Sequence, residues 1–222
     1  MKRTITFAAL AVGAAAGAGA AHAQSGIAVG AGVGTTGGIV EAQVEVTPMI
    51  QLRGGYNYFQ YGADDSYDDI EYNGDLDLST LGAFIDFRPF SNSFIITGGA
   101  YFGEKTLDLV AASGQTYEIG GQTYNSAEVG TLAAGVDLED TAPFVGLGWD
   151  STFQGSGNIG FKFIAGAMFT GTPQVNLSST GGTLSNDSNF QTQLATEEQN
   201  LQDDISDYEI YPVVQAGITF RF

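Results

Sequence analysis

The chain contains no cysteine, so neither a disulfide framework nor a thiolate metal site is available to it. Its one histidine, His22, lies in an N-terminal segment that reads as a cleavable signal, and no imidazole follows it. Cations are scarce: seven Lys and Arg stand against 25 Asp and Glu, for a formal charge of −18. That balance argues against binding nucleic acid through its phosphates. Charged residues of both signs make up 14% of the chain, well below the roughly 25% of typical soluble domains. Beyond the N-terminal segment no stretch of 18 apolar residues occurs, so no membrane-spanning helix is expected.

The first 23 residues read as a secretory signal peptide. Met1-Lys2-Arg3 is the cationic start, an apolar, small-residue stretch runs from Ile5 to about Ala21, and Ala21-His22-Ala23 has the A-x-A form of a cleavage site. A transmembrane helix is the plainer alternative, but the segment is rich in Gly and Ala and no stop-transfer pattern follows. The mature domain is then 24–222, starting at Gln24. It keeps five cations, Arg53, Arg88, Lys105, Lys162 and Arg221, against 25 acids.

What the mature chain does have is a period of two. Segments of about ten residues alternate apolar with polar or small side chains between turn signals, the pattern of membrane-spanning strands. Eight strands are expected, near 26–34, 39–47, 50–60, 77–88, 94–106, 141–151, 159–170 and 208–222. Short connections at Pro48, at Pro89-Phe90-Ser91-Asn92 and at Phe153-Gln154-Gly155-Ser156-Gly157 alternate with long ones at about 61–76, 107–140 and 171–207. Outer-membrane barrels have short periplasmic turns and long external loops, so an even strand count sets both termini on the periplasmic side. The fold class is therefore all-β: an antiparallel, up-and-down transmembrane barrel of eight strands.

Assigning the greasier parity of each strand to lipid sends Val214, Ala216, Ile218, Phe220 and Phe222 outward, with Phe161, Phe163, Val145, Leu147, Trp149, Leu81 and Ile85. All five mature cations then fall on the inner parity, where a bilayer requires them, since a cation on the lipid face near the midplane costs about 2–4 kcal/mol. The expected lumen charges are Glu41, Glu45, Arg53, Asp86, Arg88, Lys105, Asp150, Lys162, Glu209 and Arg221. They either line a pore or pair and plug the barrel. Eight strands leave an interior just wide enough for side chains to fill, or for one small ligand, which favours the plug. Inward glycines, Gly82, Gly99, Gly146 and Gly166 among them, leave volume that water or large neighbours such as Phe84 and Phe144 must fill. In the fifth strand, Leu107 and Leu109 continue the inner parity beyond Lys105, so a β-bulge or the start of a loop is expected there.

The C-terminus reads Gln215-Ala216-Gly217-Ile218-Thr219-Phe220-Arg221-Phe222. Its polar residue, glycine, aromatic and terminal phenylalanine (Gln215, Gly217, Phe220 and Phe222) resemble the signal by which the barrel-assembly machinery recognises bacterial outer-membrane proteins. With Ile85-Asp86-Phe87-Arg88-Pro89-Phe90, Ala142-Pro143-Phe144-Val145-Gly146-Leu147-Gly148-Trp149 and Tyr211-Pro212-Val213-Val214, the whole of 24–222 resembles the small eight-stranded OmpA-type barrels of Gram-negative bacteria. The resemblance implies an outer-membrane location, membrane lipid and lipopolysaccharide as surroundings, and the assembly machinery as a partner during biogenesis. It implies no activity. A periplasmic peptidoglycan-binding domain, which full-length OmpA carries after its last strand, is not expected here.

Three local motifs carry weaker signals. Gly32 to Gly37 matches G-x-G-x-x-G, but a second alternating strand follows where a dinucleotide site needs a helix. The segment 64–77 holds Asp64, Asp65, Asp68, Asp69, Glu71 and Asp75; a weak external Ca²⁺ or Mg²⁺ site is its sharper reading and a solvated acidic loop its plainer one. Residues 191–206 suit a short helix in the last long loop, with Ser188 and Gln191 as a capping box and Leu194, Leu201 and Ile205 as a narrow apolar stripe. That helix reads either as polar surface or as a lid over the barrel mouth.

No catalytic residues are assigned, because a Ser or Thr nucleophile needs a base and the mature chain has no histidine. The preferred function is a non-enzymatic outer-membrane protein, monomeric, without a cofactor, with a structural or surface-contact role. A narrow porin-like channel and a surface enzyme acting on lipid or peptide are the alternatives. Protein recovered from outer membranes is expected to begin at Gln24, which N-terminal sequencing checks; an intact Met1 would remove the signal-peptide reading.

Overall fold

Strands form here because β-branched and aromatic residues alternate with small or polar ones, and they must close on themselves because hydrocarbon offers no partner to an unpaired peptide group. The computed structural model describes residues 26–67, 70–111, 114 and 116–222. Its elements are β1 (Ile27–Gly34), β2 (Gly37–Thr47), β3 (Ile50–Tyr67), β4 (Ile70–Phe87), β5 (Phe94–Ala111), β6 (Thr116–Ile119), β7 (Gln122–Asn125), α1 (Ser126–Val129), β8 (Gly130–Asp137), β9 (Thr141–Asp150), β10 (Ile159–Phe169), β11 (Gln174–Gly181), α2 (Ser188–Ile205) and β12 (Ile210–Arg221). The expected signal peptide lies outside the described residues.

Eight of these strands close a barrel in the order β1-β2-β3-β4-β5-β9-β10-β12. The last pairs back onto the first, from Ala28 with Arg221 to Gly34 with Gln215, all antiparallel. The exterior is apolar: Leu81, Ile85, Val145, Leu147, Trp149, Phe161, Phe163 and Ile218 are all exposed. The interior is polar: Gln43, Gln51, Arg53, Asp86, Arg88, Asp150 and Lys162 are buried. This inverts the pattern of a water-soluble protein and is what a bilayer-spanning barrel requires. No described helix is long and apolar enough to cross a membrane.

The three long loops expected from sequence are largely structured, which corrects that expectation. Strands β3 and β4 run on as a ribbon to Tyr67 and from Ile70, paired throughout. Strand β5 continues to Ala111 without a register shift, so neither a bulge nor a loop begins after Lys105. Its lower part pairs with β9, ending at Phe102 with Thr141, and its upper part with β8, starting at Thr106 with Asp137. The same register holds across the gap, and two bonds bridge it: Leu138 N–H to Lys105 O at 3.1 Å and Gly103 N–H to Asp140 O at 2.9 Å. Strands β8 and β9 thus act as one tall barrel strand with a break at 138–140. Strand β11 follows β10 against this tall strand, but with its register shifted by one residue, after a connection holding Gly171 in the left-handed region (φ 68°) and Pro173.

The result is a five-stranded wall, β3-β4-β5-β8-β11, rising above one side of the barrel. Its upper end has an apolar core of its own: Ala111, Tyr117, Ile119, Val129, Phe190 and Leu194, flanked by Tyr124, Leu132, Leu177 and Leu184. The hairpin β6–β7 and helix α2 supply most of it. Helix α2 starts at Asp187, whose carboxylate accepts from the Asn189 and Phe190 amides, so Ser188 is not the cap and the expected capping box does not form. The buried stripe is Phe190 and Leu194; Leu201 and Ile205 are only half-buried.

Replacing Val145 by arginine puts a cation on the lipid face of the barrel. The substitution is expected to lower unfolding stability in lipid vesicles by about 2–4 kcal/mol by urea titration, whereas Val145→Leu should be neutral.

Candidate functional site

The inner side chains of the barrel form stacked layers. Nearest the short turns, the guanidinium of Arg88 donates through Nη2 to Gln51 Oε1 at 2.6 Å and lies 3.8 Å from Asp150 Oδ2. The ring of Phe153, from the β9–β10 turn, faces it at 5.9 Å. Gln51 Nε2 in turn donates to Asp86 Oδ2 at 3.2 Å and to Asp150 Oδ2 at 3.1 Å. The other oxygen of Asp150 accepts from the Thr152 amide at 2.8 Å and from its hydroxyl, which also bonds Thr219 Oγ1 at 2.7 Å.

One step up, Arg53 holds Asp86 through Nε at 3.0 Å and Nη2 at 3.3 Å, donates to Thr97 Oγ1 at 3.1 Å, and approaches Glu41 Oε2 at 3.7 Å. Glu41 also ion-pairs with Lys162 and accepts from Gln43 Nε2 at 2.7 Å. Three carboxylates, Glu41, Asp86 and Asp150, therefore face three cations, Arg53, Arg88 and Lys162, all buried. A buried charge is tolerated only when paired and hydrogen-bonded, and here the signs balance. Side chains from β2, β3, β4, β5, β9, β10 and β12 join this layer; at its level β1 offers only the small residues Ala28 and Gly30, and a Cβ on Gly30 would press on Glu41 and Thr219.

Above the charges lies an aromatic layer. Phe84, Tyr101 and Phe144 meet edge to face, with centroids 5.0 Å (Phe84–Tyr101), 5.6 Å (Phe84–Phe144) and 5.6 Å (Tyr101–Phe144) apart. Ile95, Ile164, Met168 and Val213 pack around them. The lower face of the layer is tied to the charges, since the Arg53 guanidinium sits 4.1 Å from the Phe84 ring centre. The rings fit because their neighbours have no side chain. A Cβ on Gly82 or Gly99 would collide with Phe84, and one on Gly146 or Gly166 with Phe144. The inward glycines thus leave notches that the large rings fill. At the outer mouth, Gln215 Nε2 donates to Tyr101 Oη and to Thr36 Oγ1, both at 3.0 Å, and Thr36 donates to Asn57 Oδ1 at 3.2 Å.

Of the ten lumen charges expected from sequence, Glu41, Arg53, Asp86, Arg88, Asp150 and Lys162 come together. Lys105 is buried apart from them, at the break between β8 and β9, where its ammonium donates to Gly103 O at 2.7 Å and Asp140 O at 3.1 Å. Arg221 caps the β9–β10 turn by donating to the carbonyls of Gly155 at 3.2 Å and Gly157 at 2.9 Å. Glu45 is half-buried near the lower rim and outside the network. Glu209 is a correction: β12 starts at Ile210, and Glu209 lies exposed outside the lumen, accepting from the Thr172 hydroxyl at 3.0 Å. Sequence reasoning missed Gln43, Gln51, Thr97, Tyr101 and Thr152; inner parity alone would have found those on strands.

The residues of the assembly-signal resemblance divide between the faces: Gln215 and Gly217 on the inner parity, Phe220 and Phe222 outward and edge to face at 5.5 Å. Of the six acids considered for a divalent cation, Asp68 and Asp69 lie outside the described residues, and the strands place the rest on a ribbon rather than on an irregular loop. Among the described residues no group of three or more acids could hold a metal ion.

No protein-family model matches the chain, and no curated protein matches it significantly in sequence. Solved structures do match. The chain is similar to Acinetobacter baumannii CarO2, at 24% identity and a TM-score of 0.59 over 88% of this chain and 98% of that one. It is also similar to CarO of the same organism, at 23% identity and a TM-score of 0.56 over 89% and 98%. At that identity the likeness bears on fold alone: an eight-stranded, outer-membrane-type barrel. It does not single out the OmpA-type class.

Removing Asp86 leaves the Arg53 guanidinium buried without its closest partner. Asp86→Ala is expected to cost about 3–5 kcal/mol by urea titration in detergent. Removing both partners, in Arg53→Met with Asp86→Leu, should cost clearly less than the two single changes added together, because Glu41 keeps Lys162.

Proposed function

We propose that this is a non-conducting, non-enzymatic outer-membrane protein that works through its exposed outer wall, with the barrel as anchor. The observation that carries this reading is the filled lumen: a balanced charge layer topped by an aromatic layer whose rings occupy the glycine notches. An eight-stranded barrel has just enough interior for such a filling. The network carboxylates each hold a cation or amide donor, which leaves no free acid–base pair in the lumen. In this reading both termini are periplasmic, the wall faces the lipopolysaccharide layer, the last strand is read by the assembly machinery, and the protein acts as a monomer.

The test is refolding 24–222 in detergent and recording single-channel currents in a planar bilayer. The folded protein, verified by heat-modifiable gel migration, is expected to be silent. Phe84→Ala with Phe144→Ala should empty the aromatic layer yet stay silent, because the charge layer still fills the lumen, and current should appear only when Arg53→Ala and Asp86→Ala are added. Discrete, reproducible steps from the unaltered protein would overturn the proposal and make the inner charges the lining of a narrow channel.

A further inference from the structure

Strand β11 is one free edge of the wall, bonded to β8 on one side only. Its sequence, Gln174 to Gly181, carries no charge and no proline, so it has none of the usual devices that keep an edge from pairing further. Helix α2 lies along it instead. Gln202 accepts from the Val175 amide at 3.0 Å and donates to Pro173 O at 2.6 Å, and Glu198 accepts from the Leu177 amide at 2.9 Å. These two side chains stand where a neighbouring strand's peptide groups would be.

The two halves of α2 are held differently. The first half is capped by Asp187 and anchored by Phe190 and Leu194 in the outer core. The second half has no fully buried residue. The polar contacts that bind it to the wall region are those of Glu198 and Gln202 with β11 and of Glu197, which accepts from the Gly120 amide at 3.1 Å. Its last turn has no basic residue and contains Asp203 and Asp204, with Asp207 just beyond. Negative charge at a helix C-terminus opposes the helix dipole. Apolar burial holds one end, while the other is attached by three polar side chains and the half-buried Leu201 and Ile205, and is weakened by its own charges.

We propose that residues 195–205 of α2 are a releasable strap over the β11 edge, hinged near Leu194, which opens without unfolding the rest of the wall. Opening uncovers the amides of Val175 and Leu177 and the carbonyl of Pro173. The amides of Asn176 and Ser178, on the alternate parity, stay bonded to β8.

The test is amide hydrogen exchange by NMR on the refolded protein in micelles. Val175 and Leu177 are expected to exchange together with residues 199–205, at least tenfold faster than Asn176, Ser178 and Phe190. Gln202→Ala should accelerate Val175 and leave Asn176 and Phe190 unchanged. Asp203→Lys with Asp204→Lys should do the reverse, slowing Val175 and Leu177 by at least about twofold, which no merely disruptive substitution would. Equal protection of Val175 and Asn176, or both halves of α2 exchanging as one unit, would overturn the strap.

Discussion

The barrel depends first on having no edge in the hydrocarbon. Every peptide group on a membrane-facing strand needs a partner from the chain itself, so the sheet must return to its own first strand. The register of β1 with β12 achieves this over seven residue pairs. Closure then dictates the interior. Once eight strands are joined, the inner faces meet in a narrow space, and whatever they carry is buried. The same parity that sends Val214, Ile218 and Phe220 into lipid sends Gln215 and Thr219 inside.

The composition of the lumen follows from that confinement. A charge placed there is desolvated and needs a counter-charge in reach. Glu41 lies between Lys162 and Arg53, and Arg53 reaches across to Asp86, so strands far apart in sequence are cross-linked through side chains as well as through their ladders. Glycine serves the same end. Close approach of Phe84 and Phe144 to the wall requires neighbours with no Cβ, and Gly82, Gly99, Gly146 and Gly166 provide them. Small residue and large ring are two halves of one packing arrangement, each explaining the other.

The membrane part of the molecule was legible in the sequence because lipid imposes a sharp rule. Each barrel strand alternates strongly, and the scarcity of cations made their parity a test that the strands passed. The outer wall was not legible, for a physical reason. Above the bilayer neither face of a strand meets hydrocarbon, so Gly130-Thr131-Leu132-Ala133-Ala134-Gly135 and Gln174-Val175-Asn176-Leu177-Ser178-Ser179 carry only weak contrast and read as loop. They are strands because β5 continues upward as a template and because Phe190 and Leu194 arrive from far along the chain to cover them. Glu209 was misplaced by extending the β12 parity one residue past the end of the strand. The cap of α2 fell to Asp187 rather than Ser188, since a carboxylate one residue earlier takes the Asn189 and Phe190 amides and starts the helix there.

Charge is also distributed by height. Arg53, Arg88 and Lys162 lie in the lumen, Arg221 at the turn end, and Lys105 at the level where the wall leaves the barrel. Above Lys105 the sequence of the wall and its cover supplies acids alone: Asp108, Glu118, Glu128, Asp137, Asp187, Glu197, Glu198, Asp203 and Asp204. Inside the barrel, opposite charges are matched one to one because burial demands it. Outside, water and mobile ions carry that burden, and the matching is absent. The border between the two regimes falls at the break between β8 and β9, where a buried ammonium is satisfied by two backbone carbonyls instead of a carboxylate. A neutral interior beneath a single-signed exterior is thus the result of two environments, one in which burial requires pairing and one in which water does not.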